Sequence, residues 1–273
     1  MDLSIIILNY RTAKLVRQCI KTVKLYEPAA SYEIIVVDND SHDGVEEMLR
    51  QNYPEVKFVQ TGGNRGYAAG NNTGIRQSIG RYLLILNPDI TVKPGSIDAA
   101  VGYMERHQDI GLLGPKLVKP DGSVDESCYR FPSRLIPLYR RTPLGKLAAG
   151  RRALNQYLMV DYDRQMTRDV DWLLGAVLVV RRAALKQVGL FDERFFLYFE
   201  DTDWCRRFWQ AGYRVVYYVG AEMVHYHERL SARGNWFTSL FRRSTRVHIT
   251  SWLKYLRKWR PTGDNKNDEV AKQ

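Results

Sequence analysis

Ser4-Ile5-Ile6-Ile7-Leu8-Asn9-Tyr10-Arg11 is the stretch on which the fold turns. Its apolar run is too short for a helix and does not alternate with polar residues. It therefore reads as a strand covered on both faces, as in a parallel sheet. A polar cluster follows at once. Working outward, Leu15, Cys19, Ile20 and Val23 recur at helical spacing and predict a helix over 12–25. Glu33–Val37 repeats the buried-strand pattern, and Gly44–Gln51 predicts a short helix. Val56–Gln60, a helix over 70–79, and Arg81–Leu86 continue the alternation, with a further helix after Pro94 up to Met104. This order predicts an α/β fold with a mainly parallel twisted sheet flanked by helices and wound right-handed. Ligands of such sheets bind beyond the carboxyl ends of the strands.

The second half is more mixed. Leu112–Val118, Leu173–Val180 and Arg214–Val219 read as strands, and Arg182–Val188 and Asp201–Ala211 as helices. The predicted organisation is one domain over 1–231, made of a nucleotide-binding half (1–110) and a catalytic half (111–231). A basic helical tail follows over 232–273.

The chain has 273 residues, with 41 Lys+Arg against 30 Asp+Glu and 45% hydrophobic residues. That composition excludes disordered and fibrous classes. Cys19, Cys128 and Cys205 are odd in number and far apart. They suit a reducing cytoplasm rather than a disulfide framework. No apolar run reaches the ~20 residues that a bilayer crossing needs, and no basic leader precedes the first strand.

The positive charge is concentrated. Arg229 to Arg260 holds nine Lys/Arg and no acid, and Arg130 to Arg152 holds seven and no acid. The rest of the chain is mildly acidic. Ile249, Trp252, Leu253, Leu256 and Trp259 fall on one face of a helix, with Arg257, Lys258 and Arg260 beside them. That pattern predicts a peripheral helix at an anionic membrane surface rather than a nucleic-acid partner. Packing on the body and a homodimer interface are the alternatives. The Pro- and Gly-containing segment from Arg130 to Arg152 reads as a mobile loop at an active site.

Three strands end in polar clusters: Asn9-Tyr10-Arg11, Asp38-Asn39-Asp40-Ser41 and Asn87-Pro88-Asp89. A parallel sheet brings them to one rim, which points to a nucleotide site with a metal. The loop Thr61-Gly62-Gly63-Asn64-Arg65-Gly66-Tyr67 is neither a Walker nor a GxGxxG loop, but its small residues allow close backbone approach. Glu200, Asp201 and Asp203 cluster at a helix start, amid aromatics that would desolvate a carboxylate and fit it for base work. His225 and His227 stand at strand spacing, where either ring can bind a metal.

Taken together, SIIILNYRT, VVDNDSHDG, GNRGYAAGNNTGI, LILNPDI, WLLGAVLVVRR, FDERFFLYFEDTDWCRR and VHYHERLS resemble the family 2 glycosyltransferases of GT-A fold. The similarity is greatest to the bacterial rhamnosyltransferase-like branch. It runs from Ser4 to about Ser231. The resemblance implies an inverting, metal-dependent transferase at the cytoplasmic membrane face. Its donor would be a dTDP- or UDP-sugar, dTDP-L-rhamnose by branch. Its acceptor would be a hydroxyl of a lipid-linked or cell-surface glycan. Asn9, Arg11 and Asp38 would border the nucleotide, with Asn64 and Arg65 near base or diphosphate. Asn87-Pro88-Asp89 takes the place of the DxD motif, with Asp89 and His225 on Mg2+ or Mn2+. Asn87 carries no charge, so it would ligate weakly or contact only the ribose. Asp201 would be the base and Glu200 would position the acceptor. Trp172 and Gly175 would line the sugar or acceptor side. The competing reading is a non-catalytic nucleotide- and membrane-binding module on a degenerate scaffold. A nucleotidyltransferase would need a Gly-rich basic loop after the first strand, and Asn9-Tyr10-Arg11-Thr12 does not supply one.

Overall fold

A computed structural model describes residues 1–226 and 243–260. The strands are β1 (Leu3–Asn9), β2 (Tyr32–Asp38), β3 (Lys57–Gln60), β4 (Tyr82–Leu86), β5 (Ile90–Val92), β6 (Ile110–Val118), β7 (Cys128–Tyr129), β8 (Arg168–Asp169), β9 (Trp172–Leu173), β10 (Val177–Arg181) and β11 (Arg214–His225). The helices are α1 (Ala13–Leu25), α2 (Val45–Asn52), α3 (Gly66–Gln77), α4 (Ser96–Arg106), α5 (Ile136–Arg141), α6 (Ala148–Leu158), α7 (Leu185–Val188), α8 (Glu200–Gln210) and α9 (Arg243–Lys258).

The main sheet runs β3-β2-β1-β4-β10-β6-β11-β5, with β8 beside β11. Strands β3, β2, β1 and β4 are parallel, β10 is antiparallel to β4, and β11 is parallel to β6. This arrangement decides where the site lies. The carboxyl ends of β1, β2, β4 and β11 share one rim with the amino end of β10. Ile5, Ile6 and Ile7 are all fully buried, because both sheet faces are covered. Ile5 and Ile7 pack with Val16, Cys19, Ile20 and Val23 of α1. Ile6 turns to the other face, into the layer of Ala68, Ile75, Trp204 and Phe208. Period-two alternation thus feeds two cores from one strand.

Most predicted elements stand within a residue or two of their expected ends. Four differ. Helix α3 begins at Gly66 rather than at Gly70, so the Gly/Asn-rich loop is largely its first turns. Its small residues let it lie close on the sheet: a Cβ on Gly74 would press on Ile6, and one on Gly70 on Leu8. The expected strand 173–180 is broken by Leu174-Gly175-Ala176 into β9 and β10. The last predicted strand runs on to His225, past irregular pairing between Tyr218 and Glu222. The segment 130–152 is not a loop. It folds into α5, a 3-10 turn (Pro143–Lys146) and the start of α6, held down by buried Ile136, Gly150 and Tyr157. Pro137 stands in the first turn of α5, where its missing N–H costs nothing.

Helix α9 docks on the body. Thr245, Ser251 and Tyr255 are buried, whereas Leu253 of the expected apolar stripe is 55% exposed. The docking face is therefore rotated from the stripe toward Thr245, His248, Ser251 and Tyr255. Trp236, Phe237, Phe241 and His227 lie outside the described residues.

Gly66 has a φ of +86°, and a Cβ there would collide with the Phe196 carbonyl oxygen. Gly66→Ala should therefore lower stability by roughly 1–3 kcal/mol, from overpacking and strain together. Urea unfolding checks this, and an unchanged midpoint would contradict the fit.

Candidate active site

The rim is built from the loops that leave β1, β2 and β4, from the end of β11 and from the loop that enters β10. Asn9 and Asp38 sit side by side, as their register in β1 and β2 requires. Both are buried and bonded within the protein. Asn9 Nδ2 donates to Asp38 Oδ1 at 2.7 Å and to Ser41 and Asp43 at 3.1 and 3.2 Å. Asp38 Oδ2 accepts the Ser41 N–H at 3.0 Å. These two residues hold the loops at the rim rather than standing free toward it. Arg11, Asn64 and Arg65 are exposed. Arg11 adopts a φ of 59° and donates its N–H to Ser41 Oγ, and Asn64 Oδ1 accepts the Gly66 N–H.

Asp89 and His225 come together because β5 pairs with the end of β11. His225 faces Ile90 in that register, and its Nε2 lies 3.4 Å from Asp89 Oδ2. Asp89 Oδ1 is buried without a hydrogen-bond partner. On the far side, His225 Nδ1 lies 2.8 Å from the buried carboxylate of Asp125. Burial works against charge on His225, but hydrogen bonds to Asp125 and Asp89 outweigh it and push the ring up to about 9. A carboxylate behind one ring nitrogen is the arrangement that orients a metal-binding histidine. An unsatisfied buried carboxylate oxygen beside the other nitrogen completes a set that fits a hard divalent cation. Among the described residues no third His, Cys, Asp or Glu joins them. Two protein ligands with the rest supplied by phosphate oxygens is the usual pattern for Mg2+ at a nucleotide. Asn87 lies two residues before Asp89, its backbone N–H bonded to Ala176 O at 2.9 Å.

Glu200 and Asp201 open α8. Tyr198 and Phe199, just before them, both have a φ of 70°, a left-handed conformation that costs non-glycine residues energy. This kink turns both carboxyl groups inward. Asp201 Oδ2 accepts the Gly175 N–H at 3.0 Å, and Oδ1 accepts the Thr202 N–H at 2.7 Å. Burial raises the proton affinity of Asp201, and the bonds from Gly175 and Thr202 partly offset it. Glu200 is 4% exposed, and its Oε2 has no partner. Burial, reinforced by the adjacent Asp201, keeps its carboxyl well above the ordinary range. Burial thus raises the proton affinity of both carboxyl groups, that of Glu200 the more strongly. Asp203, third of the cluster, has another task. It is fully buried and ion-paired with Arg207 and Lys258 at 2.9 and 2.7 Å.

Tyr67 joins the two halves. Its hydroxyl donates to Gly175 O, so the glycine whose N–H serves Asp201 is held on both sides. Its N–H donates to Phe196 O at 2.7 Å, and Asp89, Glu200 and Asp201 all bear on its hydroxyl. Neither Tyr67 nor Asp125 was assigned a role from sequence. Tyr67 stood inside a loop of interest among residues read only for their size. Asp125 lies in DGSVDES, where nothing in the local pattern marks it. Trp172 is buried, with its indole N–H on Arg130 O and its ring stacked on Tyr129 at 4.5 Å. It backs the site rather than facing the rim.

The sequence profile of glycosyl transferase family 2 matches residues 4–166, and that of glycosyl transferase family group 2 matches residues 132–259. The chain is 36% identical over 211 residues to the N-acetylglucosaminyl-diphospho-decaprenol L-rhamnosyltransferase of Mycobacterium tuberculosis. That alignment covers 73% of this chain and 68% of that protein. It is 26% identical to rhamnosyltransferase WbbL of Escherichia coli K12, over 88% of each. Among solved structures, GalNAc-T7 with UDP, GalNAc and Mn2+ superposes with a TM-score of 0.66 at 12% identity, covering 95% of this chain and 48% of that one. The mannosyltransferase PcManGT of Pyrobaculum calidifontis, with GDP-Man and Mn2+, gives 0.56 at 19% identity, covering 93% and 64%. The chain belongs to glycosyl transferase family 2, and its fold is that of the GT-A glycosyltransferases. It is a glycosyltransferase with rhamnosyltransferase homologues.

The buried Glu200 carboxyl has a consequence for stability. The unfolded chain ionises near the ordinary value, whereas the fold disfavours the charge. Glu200 therefore destabilises the protein as pH rises above that value. Glu200→Gln should raise the unfolding temperature by a few °C at neutral pH, with the gain shrinking toward pH 4. A lower unfolding temperature at neutral pH in calorimetry would contradict this.

Proposed function

We propose that this chain is a metal-dependent, inverting rhamnosyltransferase. It moves L-rhamnose from dTDP-L-rhamnose to a hydroxyl of a lipid-linked saccharide at the cytoplasmic face of an anionic membrane. The donor and acceptor follow the names of the relatives, above all the decaprenol-linked acceptor in the name of the Mycobacterium protein. The metal follows the Mn2+ bound in the two structural neighbours and the Asp89–His225 pair with its orphaned oxygen.

The observation that carries the reading is the pair at the head of α8. Asp201 is held by Gly175 and Thr202 with its oxygens fixed, and burial has raised its affinity for a proton. In the proposed step Asp201 takes the proton from the acceptor hydroxyl as that oxygen bonds to the anomeric carbon. The bond from that carbon to the diphosphate oxygen breaks in the same displacement. One face is attacked and the other vacated, so the centre inverts and a single base suffices. Glu200 keeps its proton and orients the acceptor by hydrogen bonding. A divalent cation held by Asp89 and His225 would supply neutralisation of the charge on the departing diphosphate. Arg11, Asn64 and Arg65 lie exposed on the rim where a nucleotide would enter, and Asn87 stands where it could meet the ribose. Phe195, Phe196 and Phe199 limit water near the reacting carbon.

The peripheral location rests on the two basic segments. No helix of the described residues is long and apolar enough to cross a membrane. Because α9 is docked, the domain over 1–231 depends on part of its tail. Lys258 pairs with Asp192 and Asp203, and Ser251 donates to Leu197 O. Truncation after Arg233 would therefore disturb the catalytic helix as well as any membrane contact.

Asp201→Asn should lower transfer at least ~10³-fold, a rise of ~4 kcal/mol in the barrier, while dTDP still binds in the presence of Mn2+. A screen of nucleotide sugars for Mn2+-dependent turnover, with dTDP titration of both proteins, reads the two effects. Near wild-type turnover in the variant removes Asp201 from its role. Wild-type protein that binds neither dTDP nor UDP would favour the non-catalytic module.

A further inference from the structure

We propose that the α5–α6 segment is the face by which this protein sits on an anionic lipid bilayer. The observation is an unusual alternation on the surface. Leu135, Leu138, Leu144 and Leu147 are 49%, 39%, 44% and 59% exposed. Arg134, Arg140, Lys146, Arg151 and Arg152 are exposed among them. No Asp or Glu occurs between Glu126 and Asp161. Single exposed leucines are ordinary on soluble proteins. Four within thirteen residues, each with a cation nearby and no acid, are not.

The leucines are not simply short of a core. Ile136, Pro137, Gly150 and Tyr157 of the same segment are buried, which fixes the backbone and leaves the leucines outward. The segment is also tied to its surroundings. Arg130 N–H donates to Tyr157 O, and Arg141 donates to Thr245 Oγ1 of α9 at 3.1 Å.

Charge decides the occupant. A symmetric pairing of two copies through this patch would set cations against cations. An anionic bilayer offers acyl chains to the leucines and headgroups to the cations, and each basic residue near such a surface favours binding by roughly fivefold. The place of the segment gives the contact a use. Tyr157 stacks with Tyr129 at 5.5 Å, Tyr129 with Trp172, and three residues on Gly175 holds Asp201. The α5–α6 segment and the carboxylate pair are thus linked through one aromatic stack. An acceptor anchored in the bilayer would present its saccharide beside the cleft. That use rests on the proposed lipid-linked acceptor, whereas the surface itself is tested without it.

The test is sedimentation of the full chain with phosphatidylcholine vesicles, with and without phosphatidylglycerol. Wild type should bind the phosphatidylglycerol vesicles and leave them at high salt. The variant L135Q/L138Q/L144Q/L147Q should bind them at least ~10-fold more weakly. Its far-ultraviolet spectrum, unfolding temperature and Mn2+-dependent donor hydrolysis should stay at wild-type levels, because all four sites are exposed. A second variant, K146S/R151S/R152S, should weaken binding to anionic vesicles specifically. The proposal is overturned if wild type ignores the anionic vesicles or the leucine variant binds them as wild type does. It is also overturned if only L253Q/R257S in α9 loses binding, or if the leucine substitutions instead dissociate a dimer in sedimentation velocity. Donor hydrolysis that fails in wild type would count against the proposed function and leave the vesicle result to decide the surface.

Discussion

Everything at the rim depends on the seating of the 195–199 loop against the first turn of α3. Gly66 approaches the Phe196 carbonyl so closely that no side chain fits between them. That carbonyl accepts the Tyr67 N–H, and Asn39 Nδ2 donates to Gly66 O at 2.9 Å. One turn further on, Asn72 bonds the Phe191 backbone through both its amide atoms. The contact unites the loops after β2 and β3 with the loop before α8, which lies more than a hundred residues further along the chain. Together with the Gly175 N–H, it holds Asp201 near the rim where Asp89 and His225 stand.

That seating also holds a strained backbone. Two successive residues in left-handed conformation, neither of them glycine, persist only where their surroundings over-determine them. Here the surroundings are α3 on one side and α9 on the other. The Phe199 ring packs on Tyr255 at 5.4 Å, and Ser251 bonds Leu197 O. Lys254 reaches Arg194 O, and Trp259 donates to Asp203. Asp203 is fully buried, and Arg207 and Lys258 together offset the cost of its charge. The inner face of α9 therefore closes the loop that presents Asp201.

Much of this was legible in the sequence, for definable reasons. Parallel strands buried on both faces announce themselves as unbroken apolar runs, so β1, β2 and β4 and their polar ends could be placed. The family resemblance named Asp89 and His225 together, and the antiparallel pairing of β5 with the end of β11 is what brings them into contact. Other features could not be read. Local pattern treats Arg130–Arg152 as punctuation because it carries Pro and Gly. Yet Pro137 stands in a first turn, where proline suits a helix, and Gly150 is buried within the first turn of α6. Leu173–Val180 reads as one strand because periodicity cannot see a peptide turned out to bond Asp201. The docking face of α9 was misplaced for a related reason. Its contacts are made by Thr245, His248 and Ser251, which an apolar count passes over. Tyr67 and Asp125 act only through partners far along the chain, where a single sequence carries no signal.

The central claim is that one ionised carboxylate, Asp201, acts alone beside a neutral Glu200, so that the sugar is transferred in a single displacement. The most direct measurement is the anomeric configuration of the transferred sugar, read from the one-bond carbon–hydrogen coupling in the product's nuclear magnetic resonance spectrum. The account predicts a configuration opposite to that in the nucleotide donor. A product that keeps the donor's configuration would mean two displacements through a bound sugar, and it would contradict the role given to the pair at the head of α8.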